Sequence, residues 1–222
     1  MSVLTQEQLR LYEEQGYLLV SGLIPPEVAE QGEAALWKAL GAKPDDPATW
    51  AGLPFSGGYS APELTACFTP EFRAAAAQLA QEDVATFRPP ERVFTINVFP
   101  QEGEWQPHGP HIDHAIKEHG HKTFPRPFRV ASIVYLNDIL PHGAGTMVWP
   151  GSHRKIEALG KSDPARYEMM WVLNSGIAQL DIGEPVEILG QRGDVLFYHY
   201  LCAHSGSKNV TARPRLALAT KW

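Results

Sequence analysis

The sequence has little cysteine, no excess of positive charge and no long apolar run. Only Cys67 and Cys202 occur among 222 residues, which is too few for a disulfide-stapled secreted scaffold and favours a reducing compartment. The 19 lysines and arginines are outnumbered by 25 acidic residues, which argues against nucleic acid or an anionic membrane surface as a partner. No apolar stretch approaches a membrane span, and the N-terminus lacks a signal pattern. We therefore expect a soluble, cytoplasmic protein.

Length and composition are those of a globular protein with a sizeable core. Hydrophobic residues make up 44% of the chain and charged residues 20%, which is an ordinary balance. We expect one domain over residues 1–222, in which residues 1–85 give mostly helical support and residues 90–222 form a β-rich core.

The order of helical and strand-like patterns indicates the fold class. Helices are predicted at residues 5–16, 26–41, 70–82 and 163–173, and strands at 17–20, 92–99, 129–137, 145–149, 177–182, 185–189, 194–199 and 214–221. Residues 43–64 are rich in proline, glycine and serine and predict a long loop. Helices followed by a run of antiparallel strands indicate a mainly β sandwich or jelly roll braced by N-terminal helices.

His111 and Asp113 are two potential metal donors separated by one residue. On an extended strand both side chains would point to the same side, so both could bind one ion. The third donor must come from elsewhere. His204 follows the predicted strand 194–199, and His199 within that strand is the alternative. Two histidines and one carboxylate are typical of non-haem iron oxygenases.

Arg215 lies eleven residues after His204, and this spacing favours His204 over His199 as the third donor. A buried arginine can hold a carboxylate with two parallel hydrogen bonds, which lysine cannot do. A metal site beside such an arginine would suit an enzyme that binds both an ion and a dicarboxylate.

Four segments, in order along nearly the whole chain, carry a resemblance to a known family. They cover residues 4–20, 105–113, 145–154 and 193–215, and the third contains Pro-Gly-Ser-His at 150–153. Together they resemble the phytanoyl-CoA dioxygenase-like branch of the iron(II)/2-oxoglutarate-dependent oxygenases. The resemblance implies the double-stranded β-helix, or jelly roll, of those enzymes.

The resemblance also implies a role for each matching residue. His111, Asp113 and His204 would hold iron(II). Arg215 would bind the distal carboxylate of the co-substrate 2-oxoglutarate, and Asn97 would add a polar contact to it. The implied reaction uses O₂ to hydroxylate a small organic substrate and releases succinate and CO₂. Asp113 fills the coordination position that halogenating relatives leave free for chloride, which favours hydroxylation.

One position departs from the family pattern. Many relatives carry serine two residues after the distal histidine, where it assists the arginine, whereas this chain has Gly206. Ser205 and Ser207, on either side of Gly206, are the candidates for that role.

Several other residues allow two interpretations. Trp105, Tyr135 and Trp149 are candidate pocket residues, although aromatic side chains on predicted strands are equally typical of a plain core. Residues 114–128, which contain three histidines, two lysines and an arginine, form either a lid that contacts an anionic substrate or a solvated loop. His153 is expected to make a structural hydrogen bond.

Two other functions fit parts of the pattern. A cupin-like metal enzyme would not use 2-oxoglutarate, and it would leave Arg215 without a purpose. A binding protein that has the oxygenase fold but no catalytic activity would not need to keep the three donors and Arg215. The oxygenase hypothesis, with a small molecule as the partner, therefore comes first.

Overall fold

The strands of the protein form two antiparallel sheets. The computed structural model describes residues 2–88 and 93–222. Within these residues the strands are β1 (Tyr17–Val20), β2 (Ser56–Tyr59), β3 (Val93–Val98), β4 (Ala131–Tyr135), β5 (Thr146–Val148), β6 (Val186–Ile188), β7 (Val195–Tyr198), β8 (His204–Ser205) and β9 (Arg215–Lys221). The larger sheet has the order β1-β7-β4-β9-β3-β2, and the smaller has the order β6-β5-β8. Every pairing between these strands is antiparallel.

Four of the helices precede or interrupt the first strands, and two follow β5. Their bounds are α1 (Gln6–Gln15), α2 (Pro26–Leu40), α3 (Pro62–Ala66), α4 (Pro70–Ala80), α5 (Ser152–Ser162) and α6 (Met170–Gly176). The predicted start of α1 is confirmed, because Thr5 and Gln8 form a reciprocal capping box. Its predicted end is confirmed at Gly16, which adopts the left-handed conformation. No helix of the described residues is long and apolar enough to cross a membrane.

The larger sheet lies between two hydrophobic cores. One face packs against the N-terminal helices, with Leu36 of α2 and Phe72 of α4 fully buried there. The other face packs against the smaller sheet. Neighbouring residues of β4 alternate between the two cores, since Val134 faces the helices and Ile133 faces the smaller sheet. The predicted fold class, mainly β with bracing N-terminal helices, is confirmed.

Two predicted segments of the sheet region differ in the structure. Residues 43–64 contain β2, which pairs with β3 at the edge of the larger sheet. Its sequence, Ser-Gly-Gly-Tyr, has low strand propensity, so tertiary pairing overrides the local pattern. Residues 177–182 begin with a 3₁₀ helix at Ile177–Gln179 instead of a strand. The predicted strand 92–99 is confirmed over β3, and its first residue, Arg92, lies outside the described residues.

The helix predicted at residues 163–173 is confirmed only from Met170 onward. The structure has α5 before this segment and α6 at its end. Asp163 follows the last residue of α5 and has a non-helical ψ of 81°, because the proline that follows it disfavours the helical conformation of the residue before it. The apolar run from Met170 is helical, but it starts a separate helix.

Replacing Phe72 with alanine is expected to lower the free energy of unfolding by about 3–5 kcal/mol, because a fully buried aromatic side chain would leave a cavity. Phe72 contacts the rings of Phe68, Phe197 and Trp222. Urea denaturation would measure the loss, with Phe55→Ala as a matched control because Phe55 is 63% exposed. Equal stability of the two variants would contradict the packing described for α4.

Candidate metal centre

His111, Asp113 and His204 come together in space. Each offers one donor atom, and the three atoms lie within 4.8 Å of one another. Two backbone hydrogen bonds of 3.0 Å join the histidines in an isolated β-bridge. The extended strand predicted across His111 and Asp113 is reduced to this bridge, and Asp113 lies in the turn that follows it. The turn still directs Asp113 toward His204, whose Nε2 lies 3.6 Å from Oδ2 of the carboxylate.

Two further side chains hold the Asp113 carboxylate. Lys221 Nζ lies 2.9 Å from Oδ1, and the Tyr198 hydroxyl donates to Oδ2 at 3.0 Å. Burial alone would raise the pKa of Asp113. Electrostatic interactions with His204 and Lys221, with hydrogen bonds from Lys221 and Tyr198, outweigh burial and lower that pKa to about 2. The carboxylate is therefore ionised at neutral pH and can act as an anionic ligand.

The two histidines can each present a neutral ring nitrogen. Although part of the His111 ring faces the open cavity, desolvation by the surrounding protein and the neighbouring His204 lower its pKa to about 4. Nδ1 of His204 lies 3.0 Å from the carbonyl oxygen of Cys202. A proton on Nδ1, donated to that carbonyl, leaves Nε2 unprotonated and directed toward Asp113, as a metal ligand requires.

A cavity of about 850 Å³ opens onto the three donors. One wall is a face of the larger sheet, because alternate residues of β3 and β9 point into it. The volume lies within the range of small-molecule sites. The residues that these two strands contribute from this face are Phe94, Ile96, Val98, Arg215, Ala219 and Lys221, and Thr220 near the end of β9 also lines the cavity.

Arg215 lines this cavity and is 3% exposed. Its Nη1 donates to the carbonyl oxygen of Ala144, whereas its Nε has no hydrogen-bond partner in the described structure. Among the described residues, no carboxylate forms an ion pair with Arg215. Burial lowers the pKa of Arg215, and an unpaired buried cation is unfavourable. The site is therefore suited to an anion that enters the cavity.

The structure does not bring Asn97 into the cavity. Asn97 lies on the face of β3 opposite to Ile96 and Val98. Its Nδ2 donates to the carbonyl oxygen of Pro54 and to the hydroxyl of Thr95, both at 3.1 Å. This position does not support the predicted contact between Asn97 and a co-substrate.

The three aromatic candidates do not line the cavity described above. Tyr135 and Trp149 are buried in the core between the two sheets. Trp105 packs against that core and stacks on His142, with ring centroids 4.5 Å apart. The Tyr135 hydroxyl lies 3.5 Å from the hydroxyl of Thr146, which does line the cavity. The plain-core interpretation is the one that these positions favour.

The hydroxyls beside Gly206 are both engaged with backbone carbonyls. Ser205 donates to the carbonyl oxygen of His108 and Ser207 to that of Gly145, each at 2.9 Å. Both serines line the cavity, but in the described structure neither forms a hydrogen bond with Arg215. A Cβ atom at position 206 would lie 3.4 Å from the His108 ring, so the glycine leaves space beside that ring.

The other histidines considered above lie apart from the centre. His153 Nε2 lies 3.1 Å from the carbonyl oxygen of Glu13, which confirms its structural hydrogen bond. His199 packs beside His153, with ring centroids 5.2 Å apart, and is not part of the donor cluster. The geometry thus favours His204 over His199 as the third donor.

Sequence reasoning missed the two residues that hold Asp113. Tyr198 and Lys221 lie on β7 and β9, and both line the cavity. The sequence could have indicated Lys221, because it lies six residues after Arg215 on one predicted strand. Side chains an even number of residues apart on a strand share a face. Tyr198 required knowledge of the strand order, which the sequence alone did not provide.

Comparison with known proteins then identifies the family. The model of the phytanoyl-CoA dioxygenase (PhyH) family matches residues 12–217. The chain belongs to this family. The matched range includes the three donors and Arg215. No curated protein matches the chain in sequence.

Solved structures share the fold of this PhyH-family chain at low sequence identity. The carbocyclase SnoK from nogalamycin biosynthesis, described as non-haem and alpha-ketoglutarate-dependent, is 18% identical with a TM-score of 0.66, over 100% of this chain and 85% of SnoK. EvdO2 from Micromonospora carbonacea var. aurantiaca is 17% identical with a TM-score of 0.65, over 97% of this chain and 89% of EvdO2. EctD from S. alaskensis is 23% identical with a TM-score of 0.60, over 98% of this chain and 76% of EctD.

Proposed function

We propose that the protein is an iron(II)- and 2-oxoglutarate-dependent oxygenase that hydroxylates a small organic substrate. The observation that carries the proposal is the presence, in one cavity, of three clustered metal donors and a buried arginine with an unsatisfied Nε. Two proteins of similar structure support the proposal through the ligands that they bind. SnoN is known in complex with Fe³⁺ and alpha ketoglutarate, and EctD with Fe and with 2-oxoglutarate and 5-hydroxyectoine.

The donor set fits a divalent first-row transition ion. Two imidazole nitrogens and one carboxylate oxygen would occupy one side of the ion and leave positions open toward the cavity. The ionised Asp113 would contribute one negative charge. Lys221 and Tyr198 hold that carboxylate in place without a metal, so it is oriented before an ion binds.

Arg215 fits the distal carboxylate of a dicarboxylic keto acid. Its guanidinium could donate two parallel hydrogen bonds to one carboxylate, including one from the unsatisfied Nε. An anion there would offset the unfavourable burial of the cation. This feature argues against the cupin-like alternative, in which Arg215 would have no ligand.

The chemistry at the ion would be reductive activation of O₂, in which 2-oxoglutarate loses CO₂ to give succinate and one oxygen atom enters a substrate C–H bond. The residues of the chain orient the reactants and keep water away from them. Apolar side chains such as Ile96, Val98 and Ile133 line the cavity, which limits competing reactions with water. A carboxylate at Asp113, in the position that halogenating relatives leave free, favours hydroxylation.

Saturating Mn²⁺ is expected to stabilise the protein against unfolding. An ion that binds only the folded state adds about 2.7 kcal/mol at a free concentration of 100 times its dissociation constant. Thermal denaturation with and without Mn²⁺ would measure the shift. The Asp113→Ala variant should show little of it, and an equal shift in that variant would place the ion elsewhere.

Succinate formation tests the proposal directly. Purified protein given iron(II), 2-oxoglutarate and O₂ should release succinate slowly even without its substrate, and omission of iron should stop the release. Asp45→Ala is a suitable control variant, because Asp45 is an exposed aspartate outside the cavity. Protein that binds both iron(II) and 2-oxoglutarate but never forms succinate, alone or with a broad set of metabolites, would contradict the oxygenase assignment.

A further inference from the structure

The cavity carries more positive than negative charge. Its described lining residues include three basic side chains, Arg129, Arg215 and Lys221, and a single carboxylate, Asp113. In the proposed function, the charge of a divalent ion is balanced by the two carboxylates of the co-substrate. An excess of positive charge then remains in the part of the cavity that the substrate would occupy.

The cations are separated along β9. Arg215 and Lys221 lie on the same face of the strand, six residues apart, which corresponds to about 20 Å between their Cα atoms. Ala219 lies between them and leaves the wall open. The Lys221 end is next to the metal donors, because Lys221 contacts Asp113. Arg215 can therefore bind the co-substrate while the end of the cavity near Lys221 remains available for the substrate.

Binding of a metal would change the surroundings of Lys221. Without an ion, Asp113 is the counter-charge of Lys221, at 2.9 Å. When Asp113 coordinates a divalent cation, the negative charge of the carboxylate is neutralised mainly by that ion. The Lys221 ammonium then lies close to a second positive charge. An anionic group bound beside Lys221 would relieve this repulsion.

Arg129 is the second cation at this end of the cavity. Register places Ala131 opposite Lys221, and Arg129 precedes Ala131 by two residues on the same side. Its side chain is half exposed and pairs with Glu82 at 2.6 Å. Such an exposed pair is weak, so Arg129 can exchange Glu82 for an anionic ligand at small cost.

Large apolar side chains flank these cations. Phe94 is 57% exposed and Phe55 is 63% exposed, and both line the cavity together with Phe128. Phe94 lies across from Ala219 in the register of β3 and β9. Exposed aromatic side chains grouped around a cavity mark a surface that an apolar ligand would cover.

We propose that the substrate has an apolar body that packs against Phe94 and Phe128 and one anionic group that pairs with Lys221 and Arg129. This inference rests on the proposed function, because the metal must occupy Asp113 to free Lys221. The proposal assigns the anion contact to Lys221 and Arg129, whereas the sequence predicted it at residues 114–128.

The cations of residues 114–128 are engaged away from the cavity. Lys122 pairs with Glu168 at 2.8 Å, and Lys117 lies over the ring of Trp171. Arg126 donates to the carbonyl oxygen of Ala80. None of these three cations lines the cavity, whereas Lys221 and Arg129 do.

The test uses two probes of the same shape and different charge, 4-phenylbutanoate and 4-phenylbutanamide. The protein is loaded with Mn²⁺ and saturating 2-oxoglutarate without O₂, so that Arg215 is occupied and no turnover occurs. Titrations give the dissociation constant of each probe, and the relaxation that Mn²⁺ induces in the probe protons shows whether the probe lies near the ion. We expect the carboxylate to bind about tenfold more tightly than the amide, close to the ion.

Variants identify the residues responsible. Arg129→Met, which leaves the contact between Lys221 and Asp113 intact, should reduce the preference for the carboxylate severalfold, and Lys221→Met should reduce it further. Phe94→Ser should weaken both probes equally. Lys161→Met is the matched control, because Lys161 lies on the exposed face of α5 and pairs with Glu157, and it should keep the full preference.

The outcomes separate this inference from the proposed function. Equal binding of both probes, no binding of the carboxylate at millimolar concentration, or a preference that survives both cation variants would overturn the inference alone, provided that Mn²⁺ and 2-oxoglutarate bind. Failure of Mn²⁺ and 2-oxoglutarate to bind would overturn the proposed function itself.

Discussion

Replacing Asp113 with alanine is expected to abolish 2-oxoglutarate turnover and to weaken metal binding by at least about 100-fold, since loss of a direct ligand should exceed the 10–100-fold effect of losing its supporting residues. Asp113 provides the only carboxylate of the donor cluster. Its removal also leaves the positive charge of Lys221 uncompensated beside the ion. Metal titration and succinate release would measure the two effects.

The controls for this variant follow from the contacts of Asp113. Asp113→Asn keeps the shape of the side chain, and its single amide oxygen can still accept a hydrogen bond from one of the two donors, Lys221 or Tyr198, so it separates loss of charge from loss of packing. His204→Ala should reproduce the loss of turnover, whereas His119→Ala, at an exposed histidine outside the cluster, should not. Full turnover in Asp113→Ala with iron(II) would rule out the assignment of this residue as a ligand.

Replacing Arg215 with methionine is expected to weaken 2-oxoglutarate binding by about 2–5 kcal/mol, or roughly 30-fold or more, because the co-substrate would lose a buried charged partner. Metal affinity should change little, since Arg215 is not part of the donor cluster. Arg215→Lys should restore only part of the affinity, because lysine cannot donate the paired hydrogen bonds of a guanidinium. Calorimetric titration of 2-oxoglutarate into the Mn²⁺-loaded protein would measure each constant.

The stability of the Arg215 variant separates a ligand-binding role from a structural one. A cation without an ion-pair partner is unfavourable in a buried site, so Arg215→Met should leave the ligand-free protein about as stable as the wild type. Arg213→Met is the matched control, because Arg213 is exposed two residues earlier and should retain 2-oxoglutarate affinity. An unchanged 2-oxoglutarate dissociation constant in Arg215→Met, or a large loss of stability, would assign Arg215 to the fold instead.

The sequence patterns predicted most of the fold because they are local. The capping box at Thr5 and the left-handed Gly16 determine both ends of α1. Alternating residues, several of them β-branched, predicted β3. The strand β2 could not be predicted, because its glycine-rich segment forms a strand only through its pairing with β3.

Only some residues of the candidate site were predicted correctly from the sequence. His111, Asp113, His204 and Arg215 follow from their spacing and from the family resemblance, and the structure groups the first three within ligand distance. Asn97 was expected in the site because the family resemblance matches it to a polar contact on the strand before the metal motif. Its position in the alternation of β3 turns it to the other face, beside Thr95.

The contacts that tune the site depend on tertiary structure. Lys221 reaches Asp113 only because β9 lies beside β4 and β3 in the larger sheet. The basic residues at 114–128 were the visible local signal for an anion. In the structure these basic residues contact other parts of the protein, as Lys122 does with Glu168. Lys221 and Arg129 line the cavity instead.

Absorption spectroscopy without O₂ is the most direct test of whether one cavity holds iron(II) and 2-oxoglutarate together. We expect a weak visible charge-transfer band that appears only when both iron(II) and 2-oxoglutarate are added to the wild-type protein. The band should be absent from Asp113→Ala at any concentration of 2-oxoglutarate, and in Arg215→Met it should require much higher 2-oxoglutarate. A wild-type protein that binds iron(II) at the His111, Asp113 and His204 cluster, yet gives no band with saturating 2-oxoglutarate, would show that 2-oxoglutarate does not bind the ion in this cavity.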